Sequence, residues 1–454
     1  MLAETGFCLI HHGRAENIRD QDGQEAALRH RLWEMGLRPG MTLACQFRDR
    51  ALYARLLFLL PRLGCVFLPM DPDLPAVVRD QLLQAAGGPV CLDDASLLRD
   101  AGQNMDSGRE AWRPLQPWQP CLLLATSGTG GRPRLVELTA EALIASARAA
   151  CDFLQLQAAD GWLACLPLHH IGGLSILLRC ACRGARAVLT ENFSPPDVMS
   201  LLREHRLTHV SLVPSMLYRL LEEETVPPSS VRVVLLGGAP ASRSLVHQAL
   251  ERGWPVCPSY GLTEAASQVA TWYPPDPDWQ AGAAGRVLPH LQVEIAAPDG
   301  AIRIRGASVA RYWRNTRGER QALTDAQGWL DTGDAGWLDD QGHLHVRGRR
   351  DHMLISGGEN LCPEMLEALF DECPGIGPRA ITSLDDPRWG DALVLLYQGD
   401  VDAQAVRAWA RDHLKAGFVP RHFVRVEGLP RNSLGKLLRK RLRALAARAL
   451  QESF

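Results

Sequence analysis

Apolar positions change their rhythm along this chain. Up to residue 119, short apolar runs at 41–46 and 64–68 flank a stretch at 51–60 whose apolar residues recur at helical spacing. Such runs, bounded by turn residues, predict strands, and their alternation with helices predicts α/β layers around a largely parallel sheet. Residues 95–119, rich in Pro, Gly and polar side chains, read as a loop before a strand at 121–125. A second α/β stretch follows, with strands near 185–189, 209–213 and 231–236 and helices near 140–154, 197–204 and 242–252.

After Pro274 the period shortens to two. Residues 291–295 and 301–304 alternate as strands do, with turn signals at Pro298-Asp-Gly300 and Asp339-Asp-Gln-Gly342, which predicts a small β subdomain. Beyond Gly348-Arg-Arg-Asp-His352 come helical patterns near 363–371 and 403–415 and a strand near 392–397. The expected fold class is α/β: a large N-terminal domain of α/β layers with a small β subdomain at 1–349, and a small α+β C-terminal domain at 350–454.

Composition narrows the function classes. A chain of 454 residues that is 46% hydrophobic and 22% charged can bury large cores, and its formal charge of -2 gives no reason to expect a nucleic-acid partner. The basic run at 436–448 reads as a solvated helix face. The first residues show no basic stretch leading into an apolar one, and no segment has the ~18 uninterrupted apolar residues of a membrane span. A cytoplasmic protein without stable membrane insertion is therefore expected, with homo-oligomerisation left open. The 12 cysteines form no Cys-x-x-Cys pair and read as small buried hydrophobes. Of 49 basic residues only Lys415, Lys436 and Lys440 are lysines. Lys436, on a loop just before the terminal helix, could reach a phosphate or carboxylate as a mobile point charge, with Lys440 as its natural control.

Four short strings hold the chemistry. Thr126-Ser-Gly-Thr-Gly-Gly-Arg-Pro-Arg134 follows a Leu-rich strand and offers hydroxyls and closely spaced backbone N–H groups, the parts of a phosphate cradle, although a flexible hairpin loop would look similar. It lacks the Gly-Lys-Ser/Thr of a Walker loop. In Ser259-Tyr-Gly-Leu-Thr-Glu-Ala-Ala-Ser-Gln268, Tyr260 could stack on a base, Thr263 bond a phosphate and Glu264 hold Mg2+. In the stretch from Asp331-Thr-Gly-Asp334 to Ser356-Gly-Gly-Glu-Asn360, Asp334 is either a turn residue or an acceptor for a ribose diol. The last string, Pro430-Arg-Asn-Ser-Leu-Gly-Lys436, ends on the lysine already singled out.

In this order, the four strings resemble those of the acyl-adenylate-forming ligases, the superfamily of acyl-CoA synthetases, adenylation domains and luciferases. The resemblance implies an ATP-dependent carboxylate–CoA ligase using Mg2+, with a small carboxylic acid, ATP and CoA as its partners. It implies that Thr126, Ser127, Gly128, Thr129, Gly130 and Arg134 cradle phosphate. Here Gly130 stands where the family has Thr, and Arg134 and Leu135 where it has Lys and Gly. It places Gly237, Gly238 and Ala239 in an adenine pocket beside Ser259, Tyr260 and Gly261, Asp334 on the ribose and Arg349 on the nucleotide. Catalysis would rest on Lys436, Glu264, Thr263 and His170, with Lys436 bridging the acid and the α-phosphate and Glu264 holding the metal. A mobile C-terminal domain would turn at a hinge near Asp351 and bring Gly357 and Gly358 to line a CoA tunnel.

The acid is narrowed by two features. Leu166-Pro-Leu-His-His-Ile-Gly-Gly-Leu-Ser175 resembles the family's acyl-pocket gate, with His170 closing over the substrate; a core histidine is the alternative. The run Ala265-Ala-Ser-Gln-Val-Ala-Thr271 and the short chain resemble the branch that activates o-succinylbenzoate for menaquinone or phylloquinone synthesis. For its two carboxylates and ketone, Ser267, Gln268, Thr271 and Arg179 would supply donors. The competing expectations are a ligase for another aromatic or medium-chain acid, a stand-alone adenylation domain that loads a carrier-protein thiol, and a non-catalytic nucleotide-binding scaffold.

Overall fold

Four strands of 161–164, 186–189, 209–212 and 233–236 lie side by side in parallel, nearly every residue buried, because the helices between them cover the sheet. This is a computed structural model; it describes residues 7–18, 23–93, 113–127, 133–356, 359–386, 390–431 and 435–451.

These strands are the centre of a thirteen-stranded sheet. On one side it ends in the hairpin Cys8–His11 and Arg14–Asn17. On the other, the strand Val256–Leu262 changes partner along its length. Residues 256–258 run parallel to Val233–Leu236, and residues 259–262 pair antiparallel with Ser267–Thr271, with a register shift between Tyr260 and Gly261. Antiparallel strands Ala283–Val287, His343–Arg349, Leu330–Leu338, Ala301–Gly306 and Leu291–Ala296 continue the same path. The period-two region after Pro274 thus extends the main sheet instead of forming a sheet of its own.

A second sheet of seven strands includes Thr42–Gln46, Val66–Pro69 and the hairpin Pro120–Ser127 with Pro133–Thr139. Helices Arg50–Arg62, Ala140–Phe153 and Ile171–Arg183 pack between the sheets, so that Leu56, Leu143 and Leu174 share one core with Leu122 and Trp162. The third sheet, from Leu354 onward, is covered on both faces. Leu393, Leu395 and Tyr397 face a core with Leu366, Phe370 and Val406, while Val394 and Leu396 face Leu442 and Ala446 of the terminal helix Arg439–Gln451. Only those two helix residues are buried, one turn apart, and its basic face is largely solvated.

Contacts that join this C-terminal region to the rest include two between distant segments. The Asp371 carboxylate accepts from the Arg243 backbone N–H at 2.9 Å, at the start of the helix Arg243–Glu251. At Gly435, with φ +73°, the backbone lies so close to Ser215 that an added Cβ would meet its Oγ at 2.3 Å.

Candidate active site

The strand Val233–Leu236 ends on Gly237 and Gly238, and both need to be glycine. A Cβ on Gly237 would sit 2.8 Å from Ser259 Oγ, which itself donates to the Leu236 carbonyl, and Gly238 has φ +80°. The pair opens onto Tyr260 at the register shift. Gly261 tolerates no side chain either, since the Ser267 carbonyl would lie 2.1 Å from its Cβ. A short 3-10 turn at Thr263–Ala265 follows, leaving Thr263 and Glu264 half-buried; the Glu264 carbonyl is held by the Ala310 N–H at 2.7 Å. One carboxylate in such a place suits Mg2+, which keeps several waters and binds through one or two carboxylates plus substrate phosphates.

Asp334 lies opposite Arg349 on neighbouring strands. It is buried, and it accepts a hydrogen bond from the Tyr260 hydroxyl at 2.5 Å, with Arg349 Nη1 3.6 Å from its other oxygen. Arg349 also donates to the Thr332 carbonyl at 2.8 Å and grips Asp351 through Nε and Nη2 at 2.9 and 3.3 Å. Gly333 leaves the room for this guanidinium: a Cβ there would meet it at 2.8 to 3.0 Å. Burial pushes the Asp334 carboxyl above the usual range, opposed by Tyr260, Arg349 and Lys436. Lys436 is exposed, and its charge is felt at Asp334.

Thr126 and Arg134 face each other across the hairpin whose tip carries the glycine-rich string. Thr126 Oγ1 and Arg134 Nε are both buried and make no hydrogen bond among the described residues, and the Arg134 guanidinium lies 5.2 Å from the Trp313 ring. Unpaired buried polar atoms are costly, so their presence at the base of this loop fits an anion held at its tip. Gly128, Thr129 and Gly130, the Ser127 side chain, and Gly357 and Gly358 lie outside the described residues.

A second polar cluster sits behind Glu264. Arg179 is 1% exposed, donates to Ser267 Oγ at 3.0 Å and lies 5.1 Å from the Trp162 ring. Ser267 donates in turn to Ser175 Oγ at 3.3 Å. Desolvation lowers the Arg179 pKa to about 10, which leaves it charged at neutral pH, and no carboxylate pairs with it among the described residues. Gln268 is buried and donates to Thr271 Oγ1 at 2.7 Å, while its Oε1 has no partner among the described residues. His170 precedes the helix Ile171–Arg183, its ring 4.5 Å from His169. Burial, with help from His169, drops the His170 pKa to about 3, so it presents a neutral ring.

The structure therefore links Tyr260, Asp334, Arg349 and Asp351 in one chain of contacts, sets Gly237 against Ser259 and Gly261 against Ser267, and joins Arg179 to Ser267 and Gln268 to Thr271. Ala239 continues the turn after Gly238. Sequence reading passed over Ser175 and Ser215. Ser175 had a signal, since it stands one helical turn before Arg179; Ser215 had none, because only the packing of two distant segments brings it to Gly435.

Residues 19–313 match the family described as AMP-binding enzyme. The 2-succinylbenzoate–CoA ligase of Bacillus velezensis is 37% identical over 333 residues, spanning 71% of this chain and 68% of the relative. That of Listeria monocytogenes is 31% identical over 455 residues, 97% of each. Among solved structures, o-succinylbenzoate CoA synthetase (MenE) from Bacillus subtilis with the acyl-adenylate OSB-AMP superposes with a TM-score of 0.86 at 29% identity, covering 97% of this chain and 95% of that one. The same enzyme with ATP and magnesium gives 0.84 at 28% identity, covering 97% and 96%. A double mutant bound to the product analogue OSB-NCoA gives only 0.69 at 29% identity, covering 96% and 95%.

Proposed function

The chain belongs to the AMP-binding enzyme family, and from that premise we propose that it activates o-succinylbenzoate with ATP and passes the acyl group to CoA, a step of menaquinone synthesis. In the first half-reaction a carboxylate oxygen of the acid attacks the α-phosphorus of ATP, the bond to the β-phosphate breaks, and pyrophosphate leaves. In the second, the CoA thiol gives up its proton and attacks the acyl carbon, and AMP departs with the electrons of the acyl–oxygen bond. When bound, Mg2+ neutralises charge on the phosphates, and Glu264 would hold it.

The residues divide this work. Asp334, stripped of water and fixed by Tyr260, accepts from the ribose hydroxyls, and Arg349 steadies that carboxylate. Gly237, Gly238 and Ala239 let the adenine approach the backbone. Thr126, Ser127, Gly128, Thr129, Gly130, Arg134 and Thr263 serve the phosphates. Lys436 brings a positive charge to the point where the attacking carboxylate meets the α-phosphate, the kind of preorganised charge that accounts for much of catalysis. His170, a neutral ring, closes over the acyl group. Ser267, Gln268 and Thr271 donate to the substrate's polar groups.

One observation carries the choice of acid. A wholly buried arginine without a carboxylate partner is expensive, and it asks for an anion from outside the chain. Among the described residues Arg179 meets that description, and the second carboxylate of o-succinylbenzoate supplies the anion.

The C-terminal region, residues 350–454, turns between the two half-reactions about a hinge at Asp351. The charge of Lys436 felt at Asp334 supports an adenylate-forming arrangement, and the drop in TM-score from 0.86 to 0.69 between the adenylate and product-analogue complexes of one relative supports a second. In it Gly357 and Gly358 line the path of CoA. No helix among the described residues is long and apolar enough to cross a membrane, and we read the enzyme as cytoplasmic.

The test is pyrophosphate release with ATP, Mg2+ and CoA across o-succinylbenzoate, benzoate, 4-hydroxybenzoate and hexanoate, with mass detection of the thioester. Strong preference for o-succinylbenzoate is expected. Preference for another acid refutes the substrate and keeps the ligase; thioester on a carrier protein but not on CoA refutes the acceptor.

A further inference from the structure

At the edge of the large sheet lies a cavity of about 460 Å³ lined by His11, His12, Arg14, Glu16, Asp49 and Arg55, among others. The two imidazoles on its rim meet a carboxylate, Glu191, from a separate place in the chain. The hairpin Cys8–His11 and Arg14–Asn17 turns through His12, with φ 49°, and Gly13, with φ 70°. A non-glycine residue at positive φ is uncommon, and here it carries the second imidazole round beside the first, ring centroids 4.1 Å apart. Cys8–His11 runs parallel to Arg186–Leu189, Leu9 beside Ala187 and Ile10 beside Val188, so both strands end at the same level. Glu191, two residues past the second strand, meets the hairpin there. Its Oε1 contacts His11 Nε2 and lies 3.2 Å from His12 Nε2.

We propose that His11, His12 and Glu191 bind a divalent transition-metal ion of zinc's ligand preference, which clips the edge hairpin to the neighbouring strand. One donor atom from each of the three lies within 4.8 Å of the other two, and this is the one such cluster among the described residues. Metal–ligand bonds of about 2.0–2.1 Å in a tetrahedron put neighbouring donors about 3.3 Å apart, so the His12–Glu191 spacing already suits it and small rotations of the half-exposed side chains supply the rest. Two imidazoles and one carboxylate favour zinc or its neighbours over Mg2+, which prefers oxygen alone. The three ligands come from two chain segments about 180 residues apart, so the ion would tie the edge hairpin to the sheet without relying on its few ladder bonds.

The experiment is a titration of the full chain with Zn2+ by calorimetry and with Co2+ by absorption, using the native protein, Glu191→Gln and His12→Asn. Asparagine tolerates the positive φ at position 12, and that side chain is exposed, so this variant keeps the fold even if Glu191→Gln does not. One equivalent is expected, with visible cobalt bands of a nitrogen–oxygen site and affinity lower by about tenfold or more in each variant. Melting temperature should rise with Zn2+ in the native protein alone. Equal Zn2+ binding by native protein and His12→Asn, no visible cobalt bands, or a sulfur-to-cobalt charge-transfer band placing the ion on a cysteine would each overturn the proposal.

Discussion

The hydroxyl of Tyr260 donates to the carboxylate of Asp334 at 2.5 Å across 74 residues of sequence, and the bond joins the parallel half of the large sheet to its antiparallel half. Tyr260 stands where one strand changes partners, and Asp334 lies on the third strand beyond the hairpin that follows. The bond holds a buried carboxylate in place where water would otherwise solvate it, and its loss should register at the nucleotide. Tyr260→Phe is expected to raise KM for ATP about tenfold with KM for the acid unchanged, and Asp334→Asn to do more. Equal rises in both KM values would show that the bond serves the fold and not the nucleotide.

Lys436→Ala should lower adenylate formation by about 10²–10³-fold, the usual cost of removing a donor aimed at developing charge. Thioester formation from pre-made acyl-adenylate should stay within a few-fold of native, and Lys440→Ala should change neither. Equal loss of both half-reactions is the result that refutes two arrangements of the C-terminal region.

Gly435→Ala should separate the half-reactions by another route. Its Cβ would press on Ser215 Oγ at a φ that suits glycine, lifting the Lys436 loop from its seat. Adenylate formation should fall about tenfold, and adding Ser215→Ala should restore part of it, since the clashing oxygen is then gone. No recovery in the double variant would mean that backbone strain at 435, not contact with Ser215, sets the effect.

Arg179→Met makes the buried-charge argument falsifiable in two directions. KM for o-succinylbenzoate should rise on the order of 100-fold, while thermal stability in the absence of substrate stays level or improves, because a desolvated charge has been replaced by an apolar chain. A large fall in stability with KM unchanged would make Arg179 a structural residue.

Glu364 gives a pH prediction. Burial pushes its carboxyl up, but hydrogen bonds from His352 and the Cys362 thiol and the charge of Arg439, 3.0 Å away, outweigh it and hold the pKa at about 2. The folded value lies below the unfolded one, near 4.5, so the group stabilises the fold above pH 4.5 and that contribution drains away as pH falls toward 2. Its size is of order 3 kcal/mol. Denaturant unfolding between pH 3 and about 6 should show the slope in native protein and a shallower one in Glu364→Gln; identical slopes would refute the assignment.

Much of the fold was legible. The apolar runs at 41–46, 209–213 and 231–236 became the strands Thr42–Gln46, His209–Leu212 and Val233–Leu236, and the helices at 140–154 and 242–252 appeared as Ala140–Phe153 and Arg243–Glu251. Strand Ile376–Asp386 was not anticipated: glycine and proline near its start and charges at its end mask the alternation, and long pairing with Gly390–Gly399 makes it a strand. The helix Ile171–Arg183 was hidden behind the His-His-Ile-Gly-Gly string read for its chemistry.

By itself the sequence determined what is local: which segments bury themselves, where glycine must stand, and which hydroxyls, carboxylates and lysine are available for phosphate chemistry. These follow from period, turn preference and side-chain chemistry within a few residues. Only the tertiary structure decided that the β region after Pro274 continues the main sheet, that Tyr260 meets Asp334, that Arg179 is buried beside Ser267, and that His11, His12 and Glu191 converge. Those relations depend on strand order and register between distant segments, and no local preference encodes which of many possible partners a strand edge or a buried charge will find.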